Sequence, residues 1–174
     1  MMKWTNVLVT VGSTRFDKLI AVMTNNQSLE VLSSMGCNNL NIQYGSSDCP
    51  SVIGTKFKIN ITTFDYKNNI DEDIRRADVV VGHAGAGTAL EVLRQHKPLL
   101  MVINDELMSN HQKELANTLQ SEEYLCYCYT NTLINSLKYF NGKQLKSFPE
   151  ANPQLFANYV DNIFFDNKDC DKYH

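Results

Sequence analysis

The chain has 174 residues, 43% of them hydrophobic and 20% charged, which is typical of one globular domain and not of a disordered or fibrous chain. Its formal net charge of -3 does not provide the basic field with which proteins hold a nucleic acid backbone. Its apolar runs fall far short of the roughly 20 residues that a membrane-spanning helix needs. Five scattered cysteines and an N-terminus without an apolar leader favour a cytoplasmic location. We therefore expect no nucleic acid partner, no membrane span and no secretion.

Strand-like and helix-like segments alternate along the chain. Short β-branched or alternating segments predict strands over residues 6–11, 40–44, 57–62, 79–81, 99–103 and 125–130. Apolar residues at helical spacing predict helices over residues 16–23, 29–35, 71–77, 86–96, 109–120 and 133–140. This alternation predicts an α/β fold, a Rossmann-like parallel sheet with helices on both faces. We expect one domain over residues 1–150 and a C-terminal helix and tail over residues 151–174.

A glycine-rich turn between a predicted strand and helix, Val79-Val-Val-Gly-His-Ala-Gly-Ala-Gly-Thr88, is the strongest local signal. Its glycines allow a ligand to approach the backbone, and the N–H groups of the following helix start attract anions. Glu91 lies one turn further, where a carboxylate suits the hydroxyls of a ribose. The spacing G-x-x-G-x-G does not match the dinucleotide fingerprint, and Thr88 stands where a P-loop needs Lys. A tight, closely packed turn is the plainer alternative.

Two further loops follow predicted strands and are expected at the same sheet edge, where parallel α/β sheets bind ligands. Gly12-Ser13-Thr14 offers hydroxyls and helix-start N–H groups, and Thr14 with Asp17 has the spacing of a capping box. A simple helix cap is the alternative for this loop. The polar run Asn110-His111-Gln112 opens a helix and offers neutral donors and acceptors that suit sugar hydroxyls and an acetamido group. A solvated helix start is the alternative there.

An acidic pattern, Asp71-Glu72-Asp73, has the D-x-D form that some nucleotide-sugar enzymes use for a metal ion. Here the three carboxylates open a predicted helix, where they interact favourably with the positive end of its dipole. We therefore assign these residues to the helix start and predict neither a metal site nor a cofactor.

Three motifs occur in order along the chain and together carry a family resemblance. They are Val11-Gly-Ser-Thr-x-Phe-Asp-x-Leu-Ile20, Ala77-Asp-Val-Val-Val-Gly-His-Ala-Gly-Ala-Gly-Thr88 with Glu91, and Asn110-His-Gln-x-Glu-Leu-Ala116. The chain resembles the C-terminal, nucleotide-sugar-binding half of GT-B glycosyltransferases related to the bacterial lipid I GlcNAc transferase. Within that group it is most similar to the soluble catalytic subunits of the eukaryotic dolichol-pathway GlcNAc transferase. It departs from the pattern at Ala84 and Ala86, where some relatives have Gly or Ser.

The resemblance implies a role for each matching residue. Gly12, Ser13 and Thr14 would face the diphosphate of UDP-GlcNAc. His83, Gly85, Gly87 and Thr88 would surround the diphosphate and ribose, and Glu91 would bind the ribose hydroxyls. Asn110, His111 and Gln112 would hold the GlcNAc. The backbone between Thr62 and Asn69 would suit the uracil, although no side chain there stands out.

The resemblance also implies an activity, which is transfer of GlcNAc from UDP-GlcNAc to dolichyl-diphosphate-GlcNAc with inversion and without a metal. A complete GT-B enzyme has two such domains, so the acceptor-binding half and the general base would come from a membrane-anchored partner at the cytosolic face of the endoplasmic reticulum. An alternative of another class is a nucleotide- or dinucleotide-binding regulatory module. In that case Asp105, 20 residues after Gly85, would bind the ribose.

Overall fold

A computed structural model of the chain describes residues 4–51, 56–105 and 110–150. In this part of the chain six strands form one parallel sheet. The strands are β1 (Asn6–Thr10), β2 (Asn39–Gln43), β3 (Asn60–Phe64), β4 (Val79–His83), β5 (Leu99–Ile103) and β6 (Cys126–Tyr129). Their order across the sheet is β3-β2-β1-β4-β5-β6. The predicted parallel α/β fold is confirmed.

Helices cover both faces of the sheet. They are α1 (Asp17–Thr24), α2 (Asn26–Ser34), α3 (Asp71–Arg76), α4 (Ala86–Arg94), α5 (Asn110–Ser121) and α6 (Leu133–Tyr139), followed by a short 3-10 helix (Gly142–Gln144). The apolar side chains of α1, α2 and α6 form one core with the strands, and those of α3, α4 and α5 form a second core on the opposite face. Successive strand residues alternate between these cores, so Val7 and Val9 enter the first and Leu8 the second. Burial on both faces explains why β4 and β5 are continuous apolar runs.

Two predictions about local structure were wrong. The third strand was predicted over residues 57–62, but β3 covers Asn60–Phe64 because its pairing with β2 sets Asn60 opposite Asn39. Thr14 and Asp17 do not form a capping box, since the Thr14 hydroxyl donates to the Val11 carbonyl at 2.7 Å. Helix α1 begins after Phe16 without a side-chain cap. The first error arises because pairing between strands distant in sequence sets the register, and the second because the Thr14 hydroxyl bonds within its own turn.

The strand order places a crevice between β1 and β4. The chain moves outward from β1 to β3 on one side and returns to continue through β4 to β6 on the other. The loops after β1 and β4 therefore diverge at the carboxyl edge of the sheet, which is the position where open α/β sheets bind ligands.

The predicted C-terminal helix over Pro153–Phe165, and residues 151–174 as a whole, lie outside the described residues. Among the helices that the structure does describe, none is both long and apolar enough to cross a bilayer.

Candidate functional site

A cleft of about 280 Å³ opens at the crevice between β1 and β4, and we call it the switch-point cleft. Four segments from separate parts of the chain form its walls: the loop after β1, the end of β2, the loop after β3, and the first turns of α4. The lining residues are Gly12, Gln43, Tyr66, Lys67, Asn68, Asn69, Ile70, Asp71, Gly87, Thr88 and Glu91.

The loop after β1 makes a tight turn whose N–H groups are largely committed to the loop itself. Gly12 has a φ of +61°, and its N–H donates to the Thr10 hydroxyl at 3.0 Å. The Thr14 N–H donates to the Val11 carbonyl at 3.2 Å. Within the described residues the N–H of Ser13 has no partner, so Ser13 has a backbone donor to offer a ligand.

The loop after β2 braces this turn from behind. The Ser46 N–H and hydroxyl donate to the carbonyls of Thr14 and Ser13, at 3.1 and 2.8 Å. Gly45 has a φ of +57°, and a Cβ placed there would lie 2.5 Å from the Thr14 carbonyl oxygen and 2.6 Å from that of Gly12. The two loops therefore pack backbone against backbone, which fixes the position of the turn.

The N-terminus of α4 forms a second wall and offers unpaired N–H groups. Its N-cap, Gly85, provides no side-chain cap, and the first hydrogen bond of the helix runs from the Ala89 N–H to the Gly85 carbonyl. The N–H groups of Ala86, Gly87 and Thr88 precede that bond and have no partner within the helix. A Cβ at Gly87 would meet nothing within 4 Å, so its surface is open toward the cleft. This arrangement is suited to a phosphate group.

The imidazole of His83 lies between the two walls. A Cβ at Gly12 would lie 3.1 Å from the His83 Cε1 atom, and one at Gly85 would overlap the ring near Nε2. The Nδ1 atom is buried and has no hydrogen-bond partner among the described residues. Burial lowers the pKa of His83 below its ordinary value, although the nearby backbone of Thr10 acts in the opposite direction. The His83 ring is therefore neutral at pH 7, and it lies between the two glycine loops.

Three charged side chains line the cleft, and two of them are held by neighbours. The Lys67 ammonium lies 2.8 Å from the carboxylate of Asp73 and 4.1 Å from the centroid of the Phe64 ring. The Asp71 carboxylate accepts from Gln95 Nε2 at 2.9 Å. Glu91 is exposed and has no ion pair or hydrogen bond within the described residues. Its carboxylate is the acceptor in the cleft that remains available to a ligand.

The acidic pattern at residues 71–73 forms the first turn of α3, as predicted. Asp73 binds Lys67, and Glu72 pairs with Arg76 four residues later. Each carboxylate of this turn thus has a side-chain partner within the protein.

The structure brings together part of the predicted site. Gly12, Gly87, Thr88 and Glu91 line the cleft, while His83 and Gly85 form the wall behind it. Ser13 and Thr14 lie on the same loop as Gly12 and are exposed outside the lining. Helix α5 follows β5 and begins at Asn110, and Gln112 is half-buried and not part of the lining. The side chains of Asn110 and His111 are outside the described residues.

Two parts of the cleft have no counterpart among the predicted site residues. Gln43 ends β2, and residues 66–71 form the wall after β3. The predicted uracil contact at residues 62–69 overlaps the second part but named no side chain. Gln43 and residues 66–71 could have been identified from the sequence by their position after predicted strands. Their residue types are common in loops and gave no further signal.

Comparison with known proteins agrees with this architecture. The chain is 45% identical over 130 residues to the UDP-N-acetylglucosamine transferase subunit ALG13 of Homo sapiens, a match over 73% of this chain and 11% of the human protein. It is 36% identical over 124 residues to the subunit of that name from Yarrowia lipolytica, covering 68% of this chain and 62% of that protein. The chain thus spans about a tenth of the mammalian relatives and over half of the yeast one.

Two solved structures share the fold. The NMR solution structure of ALG13 superposes with a TM-score of 0.65 at 24% identity, over 91% of this chain and 96% of that one. The crystal structure of MurG from Acinetobacter baumannii superposes with a TM-score of 0.60 at 18% identity, over 91% of this chain and 42% of that one. The model of the glycosyltransferase family 28 C-terminal domain matches residues 6–163. The chain therefore belongs to the glycosyltransferase family 28 C-terminal domain family.

Proposed function

We propose that this chain binds UDP-GlcNAc in the switch-point cleft and transfers GlcNAc, with inversion and without a metal, to dolichyl-diphosphate-GlcNAc. The observation that carries the proposal is the meeting, at one crevice, of the helix-start N–H groups of α4 and the carboxylate of Glu91, none of which has a partner among the described residues. The first group suits a diphosphate and the second suits a ribose. The relatives are called UDP-N-acetylglucosamine transferase subunits, and we take the nucleotide and the sugar of the proposal from that name.

The diphosphate would bind between the two glycine loops. The N–H groups of Ala86, Gly87 and Thr88, the N–H of Ser13 and the positive end of the α4 dipole would surround it. When the acceptor hydroxyl attacks the anomeric carbon, the bond to UDP breaks and negative charge develops on the leaving diphosphate. Fixed N–H donors stabilise that charge more in the transition state than in the bound donor, which accelerates the reaction.

The nucleoside would extend along the cleft toward the loop after β3. Glu91, on the second turn of α4, would accept hydrogen bonds from the ribose hydroxyls. The exposed Tyr66 and the backbone of residues 66–69 line the far part of the cleft, where they would contact the uracil. Asn110, His111 and Gln112, at the start of α5, would hold the GlcNAc.

The acceptor and the general base would come from a membrane-anchored partner subunit. Relatives of this chain are called subunits of a transferase, which supports a heteromeric enzyme. The general base would have to lie opposite the anomeric carbon, on the acceptor side of the cleft. We further propose that the partner recruits this chain to the cytosolic face of the endoplasmic reticulum.

The direct test is a transfer assay of this chain with its partner, UDP-GlcNAc and a dolichyl-type acceptor. We expect transfer of GlcNAc in the presence of EDTA. Transfer of a different sugar, or complete dependence on Mn²⁺, would contradict the proposal.

Site variants test the donor assignment. We expect Glu91→Ala and His111→Ala each to raise the KM for UDP-GlcNAc about tenfold or more, the usual effect of losing a hydrogen bond to a charged or tightly held group. Glu30→Ala, an exposed glutamate on α2, is the matched control and should behave as the parent chain. If both site variants keep the parent KM and rate, the assignment is wrong.

The regulatory alternative is separable by titration calorimetry with UDP-GlcNAc and NAD. In the described part of the chain, Asp105 is exposed after β5 and is not among the residues lining the cleft. We therefore expect heat from UDP-GlcNAc and none from NAD. Heat from NAD alone would favour the dinucleotide-binding module.

A further inference from the structure

Two buried polar side chains lie side by side at the switch-point cleft, at the carboxyl ends of neighbouring strands. Thr10 and Gln43 are the last residues of β1 and β2, and the parallel register sets them opposite each other. Their exposed fractions are 0% and 1%. Burying a hydroxyl and a carboxamide costs free energy unless each finds hydrogen-bond partners, so their presence at this position needs a reason.

The pair is linked to the Gly12 turn by a chain of hydrogen bonds. The Thr10 hydroxyl accepts the Gly12 N–H at 3.0 Å and donates its own proton to Gln43 Oε1 at 2.6 Å. Because the hydroxyl has one proton, donation to Gln43 orients its lone pairs toward Gly12. Gln43 thereby fixes the Thr10 hydroxyl, and Thr10 fixes the turn that forms one wall of the cleft.

The amide nitrogen of Gln43 has no such partner. Its oxygen is engaged by Thr10, which leaves the Nε2 group with two donors. Within the described residues Nε2 makes no hydrogen bond, and Gln43 is one of the residues that line the cleft. A nearly buried donor that lacks a protein partner and faces a cleft is suited to a ligand oxygen.

We infer that Gln43 is a donor-binding residue and that Thr10 is its positioning residue, with Gln43 Nε2 donating to an oxygen of a bound nucleoside diphosphate. This inference rests on the proposed function. Gln43 ends β2 beside the Gly12 turn, close to where the diphosphate would lie. One side chain would thus both hold the turn through its oxygen and bind the ligand through its nitrogen.

The first experiment uses UDP and the full chain without substitution. Side-chain amide resonances of Gln43 and backbone amides of the α4 start are followed by ¹⁵N NMR during a UDP titration. We expect both sets to shift along the same binding curve. If the Gly87 amide shifts and the Gln43 side-chain amide does not, the inference is overturned while UDP binding stands. If neither shifts, the proposed function fails.

Variants separate binding from stability. Gln43→Met removes the amide at similar volume, and Thr10→Val replaces the hydroxyl with a methyl group. We expect each to weaken UDP binding about tenfold or more, which is ~1.4 kcal/mol. Thr10→Ser retains the hydroxyl and should bind nearly as the parent chain does.

A matched control exists at the other end of the same two strands. Asn39 Nδ2 donates to Asn6 Oδ1 at 2.8 Å, so Asn39→Leu removes a comparable cross-strand amide far from the cleft. It should lower the melting temperature without changing the Kd for UDP. If Gln43→Met and Thr10→Val also lower only the melting temperature, the pair is structural and the inference is wrong.

Discussion

Three glycines in or beside the candidate site differ in how far the fold requires them. Gly45 is needed because a side chain would collide with two carbonyl oxygens at a positive φ. Gly85 is needed because the His83 ring occupies the position of its Cβ. Gly87 has open space around it, so the fold alone does not require glycine there. A glycine that the fold does not need, at a helix start without a side-chain cap, is what the proposed approach of a diphosphate to its backbone would require.

This contrast predicts opposite outcomes for two alanine substitutions. Gly45→Ala should lower the free energy of unfolding by roughly 1–3 kcal/mol, because it combines backbone strain with a steric clash. Gly87→Ala should unfold at the same or a slightly higher denaturant concentration, since alanine is the better helix former. Urea titrations give both values, and calorimetry should show that Gly87→Ala loses affinity for UDP-GlcNAc although it folds stably. Unchanged affinity would place the diphosphate elsewhere.

Burial of His83 makes stability depend on pH. The folded protein favours the neutral ring and lowers the pKa of His83, whereas the unfolded chain takes up a proton near the ordinary value of about 6.5. Stability from this group is therefore complete above about pH 7 and is lost as the pH falls from about 6.5 toward the folded-state pKa. The free energy of unfolding should decrease between pH 7.5 and 6. His83→Gln should reduce that decrease, and the control His96→Gln should retain it.

A side-chain cap marks the boundary between the first two helices of this domain. Asn25 both ends α1 and begins α2: its N–H donates to the Val22 carbonyl, and its side chain accepts the Ser28 N–H at 2.8 Å. One polar residue thus breaks an apolar pattern into two helices. By contrast, α4 has no side-chain cap, which leaves its first N–H groups for a ligand.

The cap at Asn25 can be tested by substitution. Asn25→Ala should lower the free energy of unfolding by about 1 kcal/mol, the typical cost of losing an N-cap, and Asn25→Ser should restore most of it. Gln27→Ala, at an exposed position two residues later in α2, should change stability little. Chemical denaturation measures all three. Equal stability of Asn25→Ala and the parent chain would show that packing alone ends α1.

Under the proposed function the described domain binds the donor, and a partner would provide the acceptor side. The apolar side chains Leu155, Phe156, Tyr159, Val160, Ile163 and Phe164 fall at helical spacing in the C-terminal segment. Packing of this stripe onto its own domain is one interpretation, and docking on the membrane-anchored partner is the other. These residues lie outside the described part of the chain.

Deletion of Pro153–His174 tests the docking interpretation. We expect the shortened chain still to bind UDP-GlcNAc, because the switch-point cleft is built from earlier residues. It should no longer co-purify with the partner or sediment with membranes. Deletion of only the charged residues 166–174 is the control and should leave assembly intact. Normal assembly and transfer by the shorter chain would contradict a docking role.

The sequence by itself determined the fold class and the position of the main loop. Apolar periodicity and β-branched segments are local properties, so they predicted the alternation of strands and helices that the structure confirms. The glycine-rich segment before Thr88 identified the turn between β4 and α4. Once strands and helices alternate, ligand loops must gather at the carboxyl edge of the sheet.

Tertiary structure alone decided the strand order, the register of β3 and the composition of the cleft. Pairing between strands far apart in sequence set Gln43 beside Thr10 and brought residues 66–71 opposite α4. It also moved β3 three residues beyond the predicted start. These features depend on hydrogen bonds and packing between distant segments, and no local pattern of residue types specifies them.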